Sequence, residues 1–199
     1  MDETPDAAGP ARSFTVDVAN RVLRSALLYI GASGGWSEPP RPDPHAVTVV
    51  DRVPDVPPAP SSPPAPRARR ILVAEPSPYA SARAMSALAS GTVTAVVSAH
   101  DPDELLVALE SVERGQVTIP VCMVDLAADM PKVSSRQVEV LGAIIAGQSN
   151  REIARALYLS DASVKREISG LFRALAAPNR IALAQRGAAL GVTARRLGP

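Results

Sequence analysis

Asn150-Arg-Glu-Ile-Ala-Arg-Ala-Leu157, Tyr158-Leu-Ser160 and Asp161-Ala-Ser-Val-Lys-Arg-Glu-Ile-Ser-Gly-Leu-Phe-Arg-Ala-Leu175 follow one another without a break. The spacing predicts two helices joined by so short a turn that they must cross steeply, a helix-turn-helix. In the second helix Val164, Ile168, Leu171, Phe172 and Leu175 recur at helical spacing and form one apolar face. Ser163, Lys165, Arg166, Ser169 and Arg173 occupy the rest, and Ser160 stands where an N-cap accepts from a backbone amide two or three residues on. Ile153, Ala154 and Leu157 supply the inner side of the first helix, with Ala154 small at a close approach. Upstream, Val140, Leu141, Ile144 and Ile145 give a further helix its stripe, and Gly147 suits the position just past its end. None of this needs an active site, so the chain reads as no enzyme and as needing no cofactor.

Charge is distributed in a way that gives this unit a partner. From Pro131 to Pro199 there are eleven Lys or Arg against four Asp or Glu, a net +7. The other 130 residues hold ten against sixteen, a net −6, and the two recover the overall +1. A near-neutral chain has separated its charge into a basic end and an acidic end, as suits a polyanion-binding module joined to one that binds no nucleic acid.

Val133-Ser-Ser-Arg-Gln-Val-Glu-Val-Leu141, Gly147-Gln-Ser-Asn-Arg-Glu-Ile-Ala154, Ser163-Val-Lys165 and Asn179-Arg180-Ile181 together resemble the LuxR/NarL/FixJ-type helix-turn-helix. The resemblance covers about a third of the chain. It implies a four-helix domain over 133–197 in which the third helix reads DNA and the fourth pairs two subunits. On that basis Asn150, Ser163, Lys165, Arg166, Glu167, Ser169 and Arg173 are the candidate DNA contacts, and Ile181, Leu183 and Ala184 the candidate dimer seam. Glu167 departs from the family, which often carries His or another neutral polar residue there. A carboxylate accepts from a cytosine amino group or repels phosphate, so sequence preference does not carry over from relatives.

The N-terminal part alternates strand and helix, which argues for a parallel sheet covered by helices. Ile71-Leu-Val-Ala74 and Thr92-Val-Thr-Ala-Val-Val97 are strand candidates. Tyr79 to Ala89, stopped by Gly91, and Asp103 to Arg114, followed by Gly115, are the helices between and after them. The segment resembles the last two βα units of a response-regulator receiver domain. By the same resemblance, Phe14-Thr-Val-Asp-Val18 with Arg21 to Ile30 is the first strand and helix. His45 to Asp55 is then the central strand, ending at a phosphoacceptor position occupied by Asp51.

The departures weaken that chemistry. Phosphotransfer needs Mg²⁺ held by carboxylates, yet the acidic pair falls near Val18 and Ala19, leaving Asp17 alone. Glu75 stands near the position of the expected Ser or Thr, and Ser98 replaces the lysine. Asp51 therefore reads as an acid capping a strand end, with phosphorylation the alternative. The stretch between Gly31 and His45 is too broken for a full strand and helix. Seven prolines between Pro54 and Arg70 exclude a helix there and mark a Pro-rich insertion over 53–69, mobile or polyproline-like.

The expected organisation is thus α/β plus all-α: a shortened receiver-like domain over 1–120, a linker over 121–132 and the helix-turn-helix domain over 133–197. Only 3% of residues are aromatic, so the cores are aliphatic. Trp36 is expected to plug the gap left by missing elements. Cys122, the single cysteine, excludes an internal disulfide and is expected to be buried beside Val121 and Met123. His45 and His100 are too few and too isolated for a metal site. No apolar run is long enough for a bilayer and the acidic start is unlike a signal peptide, so a cytoplasmic location is expected. The partners implied are double-stranded DNA with a pseudo-palindromic operator, a second copy of the chain and RNA polymerase, with no membrane. The competing readings are a phosphorylation-switched regulator using Asp51, and a regulator acting through protein–protein contacts with polymerase or another regulator. A small-molecule effector of the first domain is left open.

Overall fold

A computed structural model describes residues 12–53 and 69–198. Four strands, β1 (Phe14–Asp17), β2 (Val47–Val50), β3 (Arg70–Ala74) and β4 (Ala95–Ser98), form one parallel sheet in the order β1-β2-β3-β4. The helices are α1 (Arg21–Ser33), α2 (Pro78–Ala89), α3 (Leu105–Glu113), α4 (Val121–Ala128), α5 (Ser135–Ile145), α6 (Asn150–Ala156), α7 (Asp161–Ala174) and α8 (Arg180–Ala189). The described residues divide into a sheet unit, up to Pro76 and Arg83–Val124, and a helical unit, Ser77–Ala82 and from Asp125 onward. The α/β plus all-α architecture expected from the sequence is the one found. None of the described helices is long and apolar enough to cross a membrane.

In the sheet unit, side chains alternate between two buried faces, as strand geometry requires. Phe14, Val16, Val47, Val49, Ile71, Val73, Ala95 and Val97 share one core with Leu27 of α1 and Leu105, Ala108, Leu109 and Val112 of α3. Val50, Leu72 and Val96 belong to the opposite face, with Ala84 and Ala87 of α2 and Met123 of α4. Both faces being covered, the strands read as near-continuous aliphatic runs. At the β1 edge the chain between Gly31 and His45 leaves only an isolated parallel bridge, Ser13 with Ser37, in place of a strand. Trp36 fills that corner: it is 3% exposed and meets Phe14 edge-on, with ring centroids 6.4 Å apart.

Several boundaries shift from the sequence reading for local reasons. β4 begins at Ala95 because the amides of Thr92 and Val93 still bond back to the Ala87 carbonyl after Gly91 turns the chain at φ +74. The expected linker contains α4, which starts after Pro120 and buries Met123. That helix also overturns the expectation for Cys122, which is exposed: with neighbouring side chains about 100° apart on a helix, only Met123 of the three faces inward. His100 is exposed, and its Nε2 lies 2.8 Å from Glu75 Oε2. The Pro-rich insertion over 53–69, apart from Val53 and Arg69 at its ends, lies outside the described residues.

The approach of α1 to β1 is set by Gly31, where a Cβ would stand 2.2 Å from the Phe14 ring. Gly31→Ala is expected to overpack this corner and destabilise the sheet unit by about 1–3 kcal/mol, read as a lower urea midpoint in its unfolding transition.

Candidate nucleic-acid interface

The helical unit is closed by a core of Val140, Leu141, Ile144, Ile153, Val164, Ile168, Leu171, Leu175 and Leu183. Its helices are started by side chains that satisfy otherwise orphaned amides. Ser134 with Gln137, and Ser149 with Glu152, form reciprocal capping boxes at α5 and α6. Ser160 Oγ accepts from the Ser163 amide at 3.1 Å and caps α7. Gly147, at φ +81, ends α5 in the left-handed conformation that glycine adopts without strain.

Burying Val164, Ile168 and Leu171 turns the opposite side of α7 to solvent. Lys165, Arg166, Ser169 and Arg173 are exposed there, and Ser163 and Glu167 are half-buried at its margins. Among the described residues, the ammonium of Lys165 and the guanidinium of Arg166 form no salt bridge. The Ser163 hydroxyl is shared with Ser160 at 2.9 Å, Ser169 Oγ donates to the Lys165 carbonyl, and Arg173 Nε donates to the Ser169 carbonyl. Of the α7 side chains, Lys165 and Arg166 are therefore the cations most available to an anion, while the serines and Arg173 are partly committed to their own helix.

Other candidates are placed differently. Asn150 opens α6, and its Oδ1 accepts from Arg180 Nη1 at 2.9 Å, while Arg180 Nη2 donates to the Gln148 carbonyl. Arg180 thereby ties α8 to the start of α6. Of the expected seam residues, Ile181 is 72% exposed, Leu183 is fully buried in the core and Ala184 is half-buried against it. Leu183 faces inward because α8 lies on α5 at Gly187, where a Cβ would stand 2.8 Å from Leu141. The outward stripe of α8 is Ile181, Gln185 and Ala188.

Two features escaped the sequence reading. Arg186 of α8 donates to the Leu175 and Ala176 carbonyls at 2.6 and 2.5 Å, closing the C-terminus of α7. Tyr158, in the turn before α7, is 90% exposed with φ +54. An aromatic side chain held outward in a turn was visible only as a turn residue in the sequence.

Asp51 lies in the sheet unit just past β2. Its Oδ2 accepts from the Ala19 amide at 2.7 Å, and its Oδ1 is 3.8 Å from Arg52 Nε. It ties the loop after β1 to the loop after β2. Among the described residues, no group of three or more His, Cys, Asp or Glu is placed to hold a metal ion.

The geometry of α5 to α8 agrees with a family match. The model of bacterial regulatory proteins of the luxR family matches residues 131–186. Residues 131–186 are a luxR-family helix-turn-helix domain. The HTH-type transcriptional regulator YhjB of Escherichia coli (strain K12) is 44% identical over 52 residues, 26% of each chain. The transcriptional regulatory protein SgaR of Hyphomicrobium methylovorum is 32% identical over 97 residues, 48% of this chain and 46% of its own. The chain thus spans less than half the length of these relatives. Solved structures similar over most of the chain include RcsB dimers bound to DNA, at 17% identity and TM-score 0.49, covering 91% of this chain and 100% of that one. The response regulator ChrA of a heme-sensing two-component system is similar at 19% identity and TM-score 0.39, over 90% and 97%.

Two outcomes test the capping of this domain. Ser160→Ala is expected to cost about 0.5–2 kcal/mol, read in urea unfolding of the helical unit. Glu152 is held below its ordinary pKa of 4.5, first by the Ser149 hydroxyl and then by the Ser149 amide. A depressed carboxylate contributes stability that is complete above the unfolded value and is lost as pH falls through the folded one. Glu152→Gln, which keeps an acceptor, is expected to flatten the fall of the thermal midpoint below pH 4.5, and an unchanged acid limb would contradict this.

Proposed function

We propose that this chain is a dimeric, sequence-specific DNA-binding transcription regulator in which α7 enters the major groove. The observation that carries the reading is the pairing of a luxR-family match with a helix whose Lys165 and Arg166 are exposed and, among the described residues, free of salt bridges. The net +7 of the C-terminal end supplies the sequence-independent attraction to phosphate. Lys165 and Arg166 are assigned to base edges or phosphates, with Ser163, Glu167, Ser169 and Arg173 at the margins. Asn150 supports the site by holding Arg180.

Dimerisation is assigned to α8, through Ile181, Gln185 and Ala188, the residues its packing leaves outside. Two-fold symmetry then calls for a pseudo-palindromic operator with half-sites about one helical turn apart. RNA polymerase is the further macromolecular partner of this reading. Control by phosphotransfer is not favoured: Asp51 is spent on the Ala19 amide, and among the described residues no group of carboxylates is placed to hold Mg²⁺.

Selection from a random duplex pool with untreated protein is expected to enrich a two-fold-symmetric site. Lys165→Ala or Arg166→Ala is expected to weaken binding to that site by about 1–3 kcal/mol where the contact is to a base; wild-type affinity in the double variant would refute the assignment. Ile181→Asp is expected to shift the protein from dimer to monomer in sedimentation, with the helical content unchanged.

A further inference from the structure

Downstream of α8 the chain folds back over its own domain. Val192 is buried, and the Arg195 amide donates to the Gly142 carbonyl at 3.0 Å. The Gln148 side chain then grips Leu197 twice: Oε1 accepts from the Leu197 amide at 2.8 Å, and Nε2 donates to the Leu197 carbonyl at 3.1 Å. Gln148 is itself buried. Gly142 is what permits the crossing, since a Cβ there would stand 3.1 Å from the Thr193 carbonyl oxygen. Residues 195 to 197 are thereby fixed on both sides, while the side chains of Arg195 and Arg196 remain exposed.

The anchor places Arg196 beside the first helix of the helix-turn-helix, within electrostatic reach of Glu152, and holds Arg195 against α5 at Gly142. Gln148 directly precedes Ser149, the N-cap of α6, so Arg196 lies one residue from a point pinned to the start of that helix. Glu152, the nearby acid, is already engaged by the amide and hydroxyl of Ser149. Among the described residues neither Arg195 nor Arg196 forms a salt bridge. Arg151 and Arg155 are exposed on α6 itself, so arginines gather around Glu152, whose single negative charge Arg196 and Arg155 share. Such a concentration of guanidinium groups is costly alone and favourable against a dense polyanion. When a helix-turn-helix docks, its first helix crosses the phosphate backbone while the second enters the groove. Guanidinium groups match phosphate oxygens two at a time, and a fixed backbone lowers the ordering cost of that contact.

We propose that Arg195 and Arg196, on the tail anchored by Gln148, form a second DNA contact that holds phosphates flanking the stretch read by α7. This rests on the DNA-binding reading and adds to it a site outside the recognition helix.

The test is fluorescence anisotropy with the full chain and a labelled mixed-sequence duplex about three helical turns long, over a series of KCl concentrations. Replacing both arginines, Arg195→Ala with Arg196→Ala, is expected to make the slope of log K against log salt shallower by about 1.8, since each phosphate contact contributes roughly 0.9. Arg195→Lys with Arg196→Lys keeps both charges and is expected to keep the wild-type slope. The loss in the alanine variant is expected to be uniform across duplex sequences, as phosphate contacts require. The anchoring bonds of residues 195 and 197 are to backbone atoms, so both variants retain them, and far-UV circular dichroism confirms the fold. A wild-type slope and affinity in the alanine variant would overturn the tail contact while leaving the reading of α7 intact. Failure of the wild-type protein to bind any duplex at low salt would remove both.

Discussion

The burial of Val164, Ile168 and Leu171 against the rest of the helical unit is the constraint on which the interface depends. A helix that commits one face to a core has no freedom in what it shows on the other. With that face inward, Lys165, Arg166, Ser169 and Arg173 go outward together. The ends of α7 are closed by different means, Ser160 from its own chain segment and Arg186 from α8. α7 is therefore oriented by packing and held at both termini by polar contacts.

This arrangement divides the basic residues of the C-terminal end by task. Arg180 and Arg186 are bound to carbonyl groups and Asn150, so their charge serves the fold. Lys165, Arg166, Arg195 and Arg196 make no salt bridges among the described residues. Net charge alone does not distinguish the two groups; the hydrogen-bond partners do. The same distinction applies in the sheet unit. Asp51 stands at the strand end where a phosphoacceptor is expected, yet its oxygen holds the Ala19 amide. The parallel sheet takes its stability from two aliphatic faces, and neither depends on the acids.

Much of the architecture was legible in the sequence because it rests on periodicity and local capping. The apolar spacing of α5 and α7, Ser160 as a cap, Gly147 at a left-handed turn and the four strand runs are all short-range signals. Reading failed where a short apolar stretch admitted two periods. The sequence places Cys122 in the core beside Val121 and Met123, and as the start of α4 that stretch buries only Met123. The family resemblance puts Leu183 at the dimer seam, without knowledge of which side of α8 would cover α5.

The sequence by itself determined most of the segments that become helix or strand, α4 excepted, and which residues of α7 are polar, since each of these follows from neighbours within a few positions. Tertiary structure decided what those residues are free to do. It spent Arg180, Arg186 and Asp51 on carbonyls and amides, sent Leu183 into the core while leaving Ile181 outside, and clamped Leu197 to Gln148, 49 positions away. The physical reason is that a hydrogen bond or a packed face between distant segments depends on where the chain returns to itself, and no local pattern encodes that return.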